Sequence, residues 1–136
     1  MNRAVGKLAS GCVAAVSAAA ILLAGSGPSA AMGRDGNLED QEFGLFYLAG
    51  RAGCVFDLYT TDTNFSGDAF KSGCNGMYKS VNDNTESYRN RDVYAWRVAT
   101  DKDLDGNVGE IPSKYEGNAS TNFKNKISSA AYTLHP

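Results

Sequence analysis

One pattern occurs twice in this chain. The first copy is Leu58-Tyr59-Thr60-Thr61-Asp62-Thr63-Asn64-Phe65-Ser66-Gly67, and the second is Val98-Ala99-Thr100-Asp101-Lys102-Asp103-Leu104-Asp105-Gly106. In each, an apolar strand end meets Thr-Asp, then a bulky residue, one spacer and glycine. Phe65 and Leu104 lie 39 residues apart, as do Gly67 and Gly106. A second element follows each copy: Asn82-Asp83-Asn84-Thr85-Glu86-Ser87, then Lys124-Asn125-Lys126-Ile127-Ser128-Ser129. Asp83 and Asn125 are 42 residues apart, as are Ser87 and Ser129. Two matched landmarks at a period near 40 predict a duplicated supersecondary unit.

The repeat occupies only the later part of the chain. Residues 1–31 read as a secretory signal: Arg3 and Lys7 give a positive start, Leu8 to Gly25 is apolar, and Ser29-Ala30-Ala31 supplies small residues for cleavage. The competing reading is a retained membrane anchor, but the run is short, is broken by Ser10, Gly11 and Ser17, and has no second span after it. The domain plan is therefore a signal (1–31), a flexible N-terminal arm (32–42) and one domain (43–136). Motif one covers about 43–92 and motif two about 93–136.

The mature chain of 105 residues carries 11 Lys+Arg against 15 Asp+Glu, a net charge of about −4. Its charges are interspersed, with no basic stripe, which argues against nucleic acid as a partner. A secreted monomer, free of the membrane after signal cleavage, is expected. All 14 aromatic residues fall in the mature part, enough for a compact core. Cys12 lies inside the signal, so Cys54 and Cys74 remain. In an exported chain this pair points to one disulfide, contributing on the order of 3 kcal/mol by loop closure. Two buried free thiols are the alternative.

Strands are expected at Phe43–Ala49, Cys54–Tyr59, Val93–Ala99 and Ile127–Leu134, where apolar, aromatic and β-branched residues gather. Between them lie segments rich in Gly, Asn, Asp and Ser, the turn formers. No window keeps a 3.6-residue apolar period. Many short strands in a small exported domain predict an all-β antiparallel sandwich. Two units of about 40 residues predict two tandem Greek keys.

The run from Tyr59 to Phe65-Ser66-Gly67, followed by Asn82-Asp83 and Ser87, resembles a βγ-crystallin Greek-key motif. The segment ending Asn125-Lys126-Ile127-Ser128-Ser129 resembles its partner. The exported, disulfide-bearing form is similar to bacterial peptidase-inhibitor family thirty-six, the streptomycete metalloproteinase inhibitor type. The resemblance spans about residues 43 to 134 and implies a βγ-crystallin-like sandwich. It implies that Phe65 packs on Tyr59 to hold a folded hairpin, that Gly67 and Gly106 adopt positive φ, and that Ser87 and Ser129 bond the hairpin backbone. This sequence departs from the family pattern in three places. One extra residue separates Tyr59 from Phe65, Ala99 replaces an aromatic, and Leu104 replaces Phe, with Trp96 expected to fill the core space nearby.

The resemblance also implies a peptidase inhibitor, and metallopeptidases are the expected targets. Ala49–Gly53, Ser72–Met77 and Pro112–Asn122 are candidate exposed loops. Asn75, Gly76, Met77 and Tyr78 stand out because Cys74 would tether them, and a pre-ordered loop binds at lower entropic cost. The alternative function is a calcium-stabilised extracellular binding or structural module. No cofactor is required for the inhibitor reading; Ca²⁺ is the ion these patterns would accommodate. In βγ-crystallins, loops of the Asn82–Ser87 kind supply hard oxygen ligands. Asn82, Asp83, Glu86 and Ser87 form the first candidate site, with Glu86 at a position the family gives to a hydroxyl. Lys124 and Lys126 disfavour the second. Asp101, Asp103 and Asp105 before Gly106 match the start of an EF-hand loop. That loop fails at its twelfth position, Pro112, and follows an expected strand. Catalysis has little basis. The single histidine, His135, sits beside the C-terminus, no cysteine is expected to be free, and nothing has zinc spacing.

Overall fold

The computed structural model describes residues 33–133; the signal segment and His135 lie outside the described residues. Seven strands follow in order: β1 (Phe43–Leu48), β2 (Ala52–Leu58), β3 (Ser87–Asn90), β4 (Trp96–Ala99), β5 (Val108–Ile111), β6 (Glu116–Asn118) and β7 (Ser129–Tyr132). Two short 3₁₀ turns, Ala49–Arg51 and Lys102–Leu104, follow β1 and β4. One antiparallel sheet has the order β2-β1-β3-β6 and the other β5-β4-β7. The all-β sandwich expected from the sequence is what the chain forms.

The two sheets bury their facing sides. Phe43, Leu45, Phe56 and Leu58 come from the first sheet, and Trp96, Val98, Ile111 and Ala130 from the second. Phe43 stacks on Trp96 with ring centroids 4.9 Å apart. Trp96 is fully buried, and its Nε1 donates to Asp92 Oδ2 at 2.9 Å, so its one polar atom is satisfied. Arg97 interrupts the apolar run of β4 and stays exposed, as a strand with one wet face requires.

The duplication is real, but its register differs from the sequence reading. The folded hairpin of the first unit is not Leu58–Gly67; it is the β1–β2 turn. Ala49–Arg51 and Lys102–Leu104 are equivalent 3₁₀ turns, 53 residues apart. Arg51 and Leu104 have φ of 59° and 58°, and Gly53 and Gly106 have 76° and 78°. The serines keep the expected offset of 42. The first unit is therefore 11 residues longer between hairpin and serine, and that extra length falls in the segment carrying Cys74. Two implied details change with the register. Gly67 does not adopt positive φ, and Phe65 packs edge-on against Phe56 at 5.2 Å rather than on Tyr59.

Each unit lends its third strand to the other's sheet. β6 belongs to the second unit yet pairs with β3. Reciprocally, Asp62 bridges Ala130 in β7, with backbone bonds of 2.9 and 2.8 Å in the two directions. This exchange locks the halves together.

The segment read as a flexible arm is tied down instead. Arg34 N donates to Asp57 O at 2.7 Å and Gln41 N to Arg91 O at 3.1 Å. Arg91 Nη1 donates to Leu38 O at 2.9 Å. Composition suggested a loose leader, whereas these backbone groups find partners on β2 and in the chain just after β3.

Candidate functional site

Three groups of residues position chemistry on this scaffold. The first comprises the two serine-terminated loops. Ser87 Oγ donates to Leu48 O at 2.6 Å and accepts from Arg51 N at 2.9 Å. Ser129 Oγ donates to Asp101 O at 2.7 Å and accepts from Leu104 N at 3.0 Å. Each serine thus bonds both sides of its own unit's folded hairpin. Ser87 is spent on this structural task.

Ahead of the serines the loops meet across a pseudo-two-fold. Asp83 and Asn125 share a left-handed conformation, with φ of 62° and 57°. Asp83 N donates to Ile127 O at 3.1 Å, and Asn125 N to Thr85 O at 2.9 Å. Side chains follow the same exchange. Ser128 Oγ donates to Asp83 Oδ1 at 3.1 Å, and Asn125 Nδ2 donates to Glu86 Oε2 at 3.1 Å. The structure therefore brings Asp83 and Glu86 to residues of the second motif. Asn82 is half-buried beside Asp83, and Lys124 and Lys126 are exposed.

Asp101, Asp103 and Asp105 do not converge. All three are exposed around the second hairpin, Asp103 has φ of 59° and its N donates to Thr63 O. Among the described residues their oxygens do not gather as a set of three. The segment before them is strand β4, so the helical frame of an EF-hand is missing there.

The second group is the stapled loop. Cys54 and Cys74 form the expected disulfide, with Cα atoms 5.1 Å apart. Beyond it the chain turns sharply: Met77 N donates to Cys74 O and Lys79 N to Gly76 O, while Tyr78 N reaches Phe70 O at 2.9 Å. Gly76 has φ of 99°, and a Cβ there would lie 2.4 Å from the Tyr47 ring, so glycine is required. Met77 is 50% exposed and Tyr78 71%. Cys54 N also donates to Asn75 O at 2.9 Å. Met77 and Tyr78 project from this hydrogen-bonded, disulfide-anchored turn.

The third group escaped the sequence reading. Carboxylate oxygens of Asp35, Glu39 and Asp57 lie within 4.8 Å of one another. Asp57 is fully buried on β2 and accepts from Asp35 N at 3.1 Å and Gly36 N at 2.8 Å. Glu42 is fully buried beside them, and its Oε2 accepts from Glu39 N at 2.6 Å. Burial pushes the Glu42 carboxyl up to about 8, and the charges of Asp57 and Glu39 add to the shift. Burial likewise raises Asp57 to about 6, against the pull of the Gly36 and Asp35 N–H groups. Sequence gave no hint because three of the four acids fall in the polar segment taken for a loose arm, and Asp57 sits in a strand.

No family model matches the chain, and no curated protein matches it. It is similar to a solved structure described as "Evolution of the eye lens beta-gamma-crystallin domain fold", with a TM-score of 0.60 and 16% identity, over 75% of this chain and 94% of that one. The chain has the βγ-crystallin domain fold. At this identity the likeness carries the fold and does not extend to an inhibitor family. Among the described residues, no helix is long and apolar enough to cross a membrane.

Proposed function

We propose that this chain is a secreted, non-enzymatic βγ-crystallin-type module, structural or binding in role, that is stabilised by Ca²⁺ at its two crossed loops. The observation that carries the reading is the reciprocal exchange: Asp83 meets Ser128 and Glu86 meets Asn125, each at 3.1 Å. The Asp83 and Glu86 carboxylates, each met by a residue of the second motif, supply hard oxygens of the kind a cation preferring six to eight oxygens takes. Such a cation would fasten one unit to the other where their third strands also exchange. Asn82 and the loop carbonyls complete the donor inventory of the first site, and Glu86 supplies a charge where a hydroxyl would be neutral.

The test is thermal melting and titration calorimetry of the EDTA-stripped protein with added CaCl₂. Binding at about 100 times Kd stabilises by about 2.7 kcal/mol, a plain upward shift in Tm. Asp83→Ala combined with Asn125→Ala should remove the loop contribution. A stripped protein whose Tm and heats ignore both Ca²⁺ and these substitutions defeats this reading.

A second reading rests on the stapled projection. Met77 and Tyr78 stand exposed on a turn held by the disulfide and by backbone bonds to Phe70 and Cys54. Such a pre-ordered loop suits insertion into a peptidase cleft. Inhibition of a thermolysin-like zinc enzyme, lost in Met77→Ala or Tyr78→Ala, would establish it. A panel of zinc and serine peptidases left uninhibited would remove it.

A further inference from the structure

The end of the sandwich away from the crossed loops holds a cleft of about 320 Å³, the size of a small-ligand site. Three tyrosines line it, each from a different stretch of chain. Tyr59 follows β2, Tyr94 lies between β3 and β4, and Tyr132 ends β7. Strand register gathers them. Phe43 at the start of β1 pairs with Leu58 and Asn90, and Trp96 at the start of β4 pairs with Tyr132. The crossed loops instead precede β3 and β7. The Tyr94 and Tyr132 rings are 5.8 Å apart and tilted by 38°. Tyr94 is 40% exposed, and Tyr59 and Tyr132 are half-buried.

Asp92 also lines the cleft and is 5% exposed. Its carboxylate is held by neutral donors: Oδ1 accepts from Val93 N at 2.7 Å and Oδ2 from Trp96 Nε1 at 2.9 Å. Among the described residues it enters no ion pair. The cations nearest in the fold are engaged elsewhere. Lys114 Nζ donates to Arg91 O at 2.8 Å, and the Arg91 guanidinium binds Leu38 O and Asp40. A buried carboxylate without a counter-charge favours a cation beside it. Aromatic faces attract the same sign, when the cation lies within about 6 Å of the ring centroid. Walls made of rings offer few acceptors, so a primary ammonium or guanidinium would leave N–H groups unpaired there. An ammonium carrying methyl groups has no N–H to satisfy.

We propose that Tyr59, Tyr94, Tyr132 and Asp92 form a binding site for a quaternary ammonium group. The tyrosine rings meet its methyl groups, and Asp92 supplies the counter-charge. The site shares no residue with the crossed loops or with the Met77–Tyr78 turn, so it stands apart from both functional readings above. Choline, a phosphocholine headgroup and a trimethylated lysine all carry this chemistry.

The experiment titrates the mature protein with choline chloride, with KCl at matched ionic strength as the reference, and follows binding by proton–nitrogen NMR. Trp96 is the single tryptophan, so its indole N–H gives one resonance, and its bond to Asp92 makes it a reporter of a cation arriving there. Choline should move that resonance saturably, and KCl should not. Dimethylbutanol, the neutral carbon isostere of choline, should bind at least about 10-fold more weakly. Tyr94→Leu should weaken choline binding about 2- to 30-fold, the range that a lost cation–π contact spans, whereas Tyr94→Phe keeps the ring and should stay within about two-fold. Asp92→Asn should weaken choline and leave dimethylbutanol unchanged. Tyr94 is exposed, so its two variants keep the test usable should Asp92→Asn fail to fold. Phosphocholine and trimethyl-lysine, titrated in parallel, identify which bearer of the group is preferred. No saturable shift with any of the three, an isostere that binds as tightly as choline, or a Tyr94→Leu variant with unchanged affinity overturns the proposal.

Discussion

Replacing Ser129 with alanine tests whether the hairpin pin, rather than hairpin composition, holds each unit. Ser129 is fully buried, and its hydroxyl makes two bonds, to Asp101 O at 2.7 Å and from Leu104 N at 3.0 Å. A net contribution of about 1 kcal/mol per bond gives about 2 kcal/mol. Leu104 is half-buried, so water can reach its freed N–H, which keeps the loss near that figure. For a domain near 100 residues, 1 kcal/mol moves Tm by roughly 4–8 °C. Ser129→Ala should therefore lower Tm by about 8–16 °C. Ser87→Ala supplies an internal replicate, since it removes the matching bonds of 2.6 and 2.9 Å. The two losses should add, because the hairpins they pin share no partner. Urea unfolding followed by tryptophan fluorescence reports both, through the single buried Trp96. Ser66→Ala is the control: its residue is exposed, and its loss should stay within about 0.5 kcal/mol. If Ser129→Ala costs no more than Ser66→Ala, the serine is not what closes the hairpin.

Two further perturbations follow from the same geometry. Cys54→Ser opens a disulfide that spans 20 residues and should cost about 3 kcal/mol, seen as a large fall in Tm under non-reducing conditions; an unchanged melt would mean the staple contributes nothing. Asp68 is raised to about 6 by burial first, then by the neighbouring Asp62, despite the Arg34 guanidinium. A raised folded value means the native state holds this proton more tightly, so its stabilising effect is complete below the unfolded value of 3.8 and is lost as pH climbs through about 6. Asp68→Asn should flatten that part of the stability profile and melt higher than the parent at pH 7; an identical pH profile would refute the assignment.

What the sequence made legible was the class of fold and the later half of each unit. Ser87 and Ser129, and Asp83 and Asn125, keep the equivalence their spacing suggested, and Cys54 pairs with Cys74 as the even cysteine pair suggested. Composition points to the wrong hairpin in the first unit. Thr61-Asp62 resembles Thr100-Asp101, but Asp62 serves as a lone bridge to Ala130. The true partner of Ala99–Gly106 is Phe46–Gly53, which has no acids at all. What they share is backbone conformation: a strand end, a 3₁₀ turn, a left-handed residue and a glycine near φ 77°. Three strands also went unseen. β5 and β6 are short and bracket Pro112, and β3 contains Ser87, Arg89 and Asn90, whose polarity reflects side-chain bonding and exposure more than strand preference. The acidic cluster was illegible for a different reason. Its four members are brought together only by docking of the N-terminal segment, a tertiary event with no periodic signature.

The mismatch between offsets of 53 and 42 says where this scaffold tolerates change. Within each unit, the hairpin and the serine that closes it must keep their geometry, because a buried hydroxyl has two fixed partners. The length between them is unconstrained by those bonds, and loop closure costs only about 0.6 kcal/mol per doubling of length. The first unit uses that freedom for the segment between Leu58 and Val81. There the extra chain buries Phe65 and Phe70 in the core and projects Met77 and Tyr78 into solvent. A longer connection would ordinarily be mobile, yet the Cys54–Cys74 link and the Phe70 backbone bonds restrain it from within. The second unit, built to the shorter plan, has no counterpart to this projection. The asymmetry therefore places surface variation on one side of a symmetric core, and a partner that recognises Met77 and Tyr78 would meet one copy of that projection per chain rather than two.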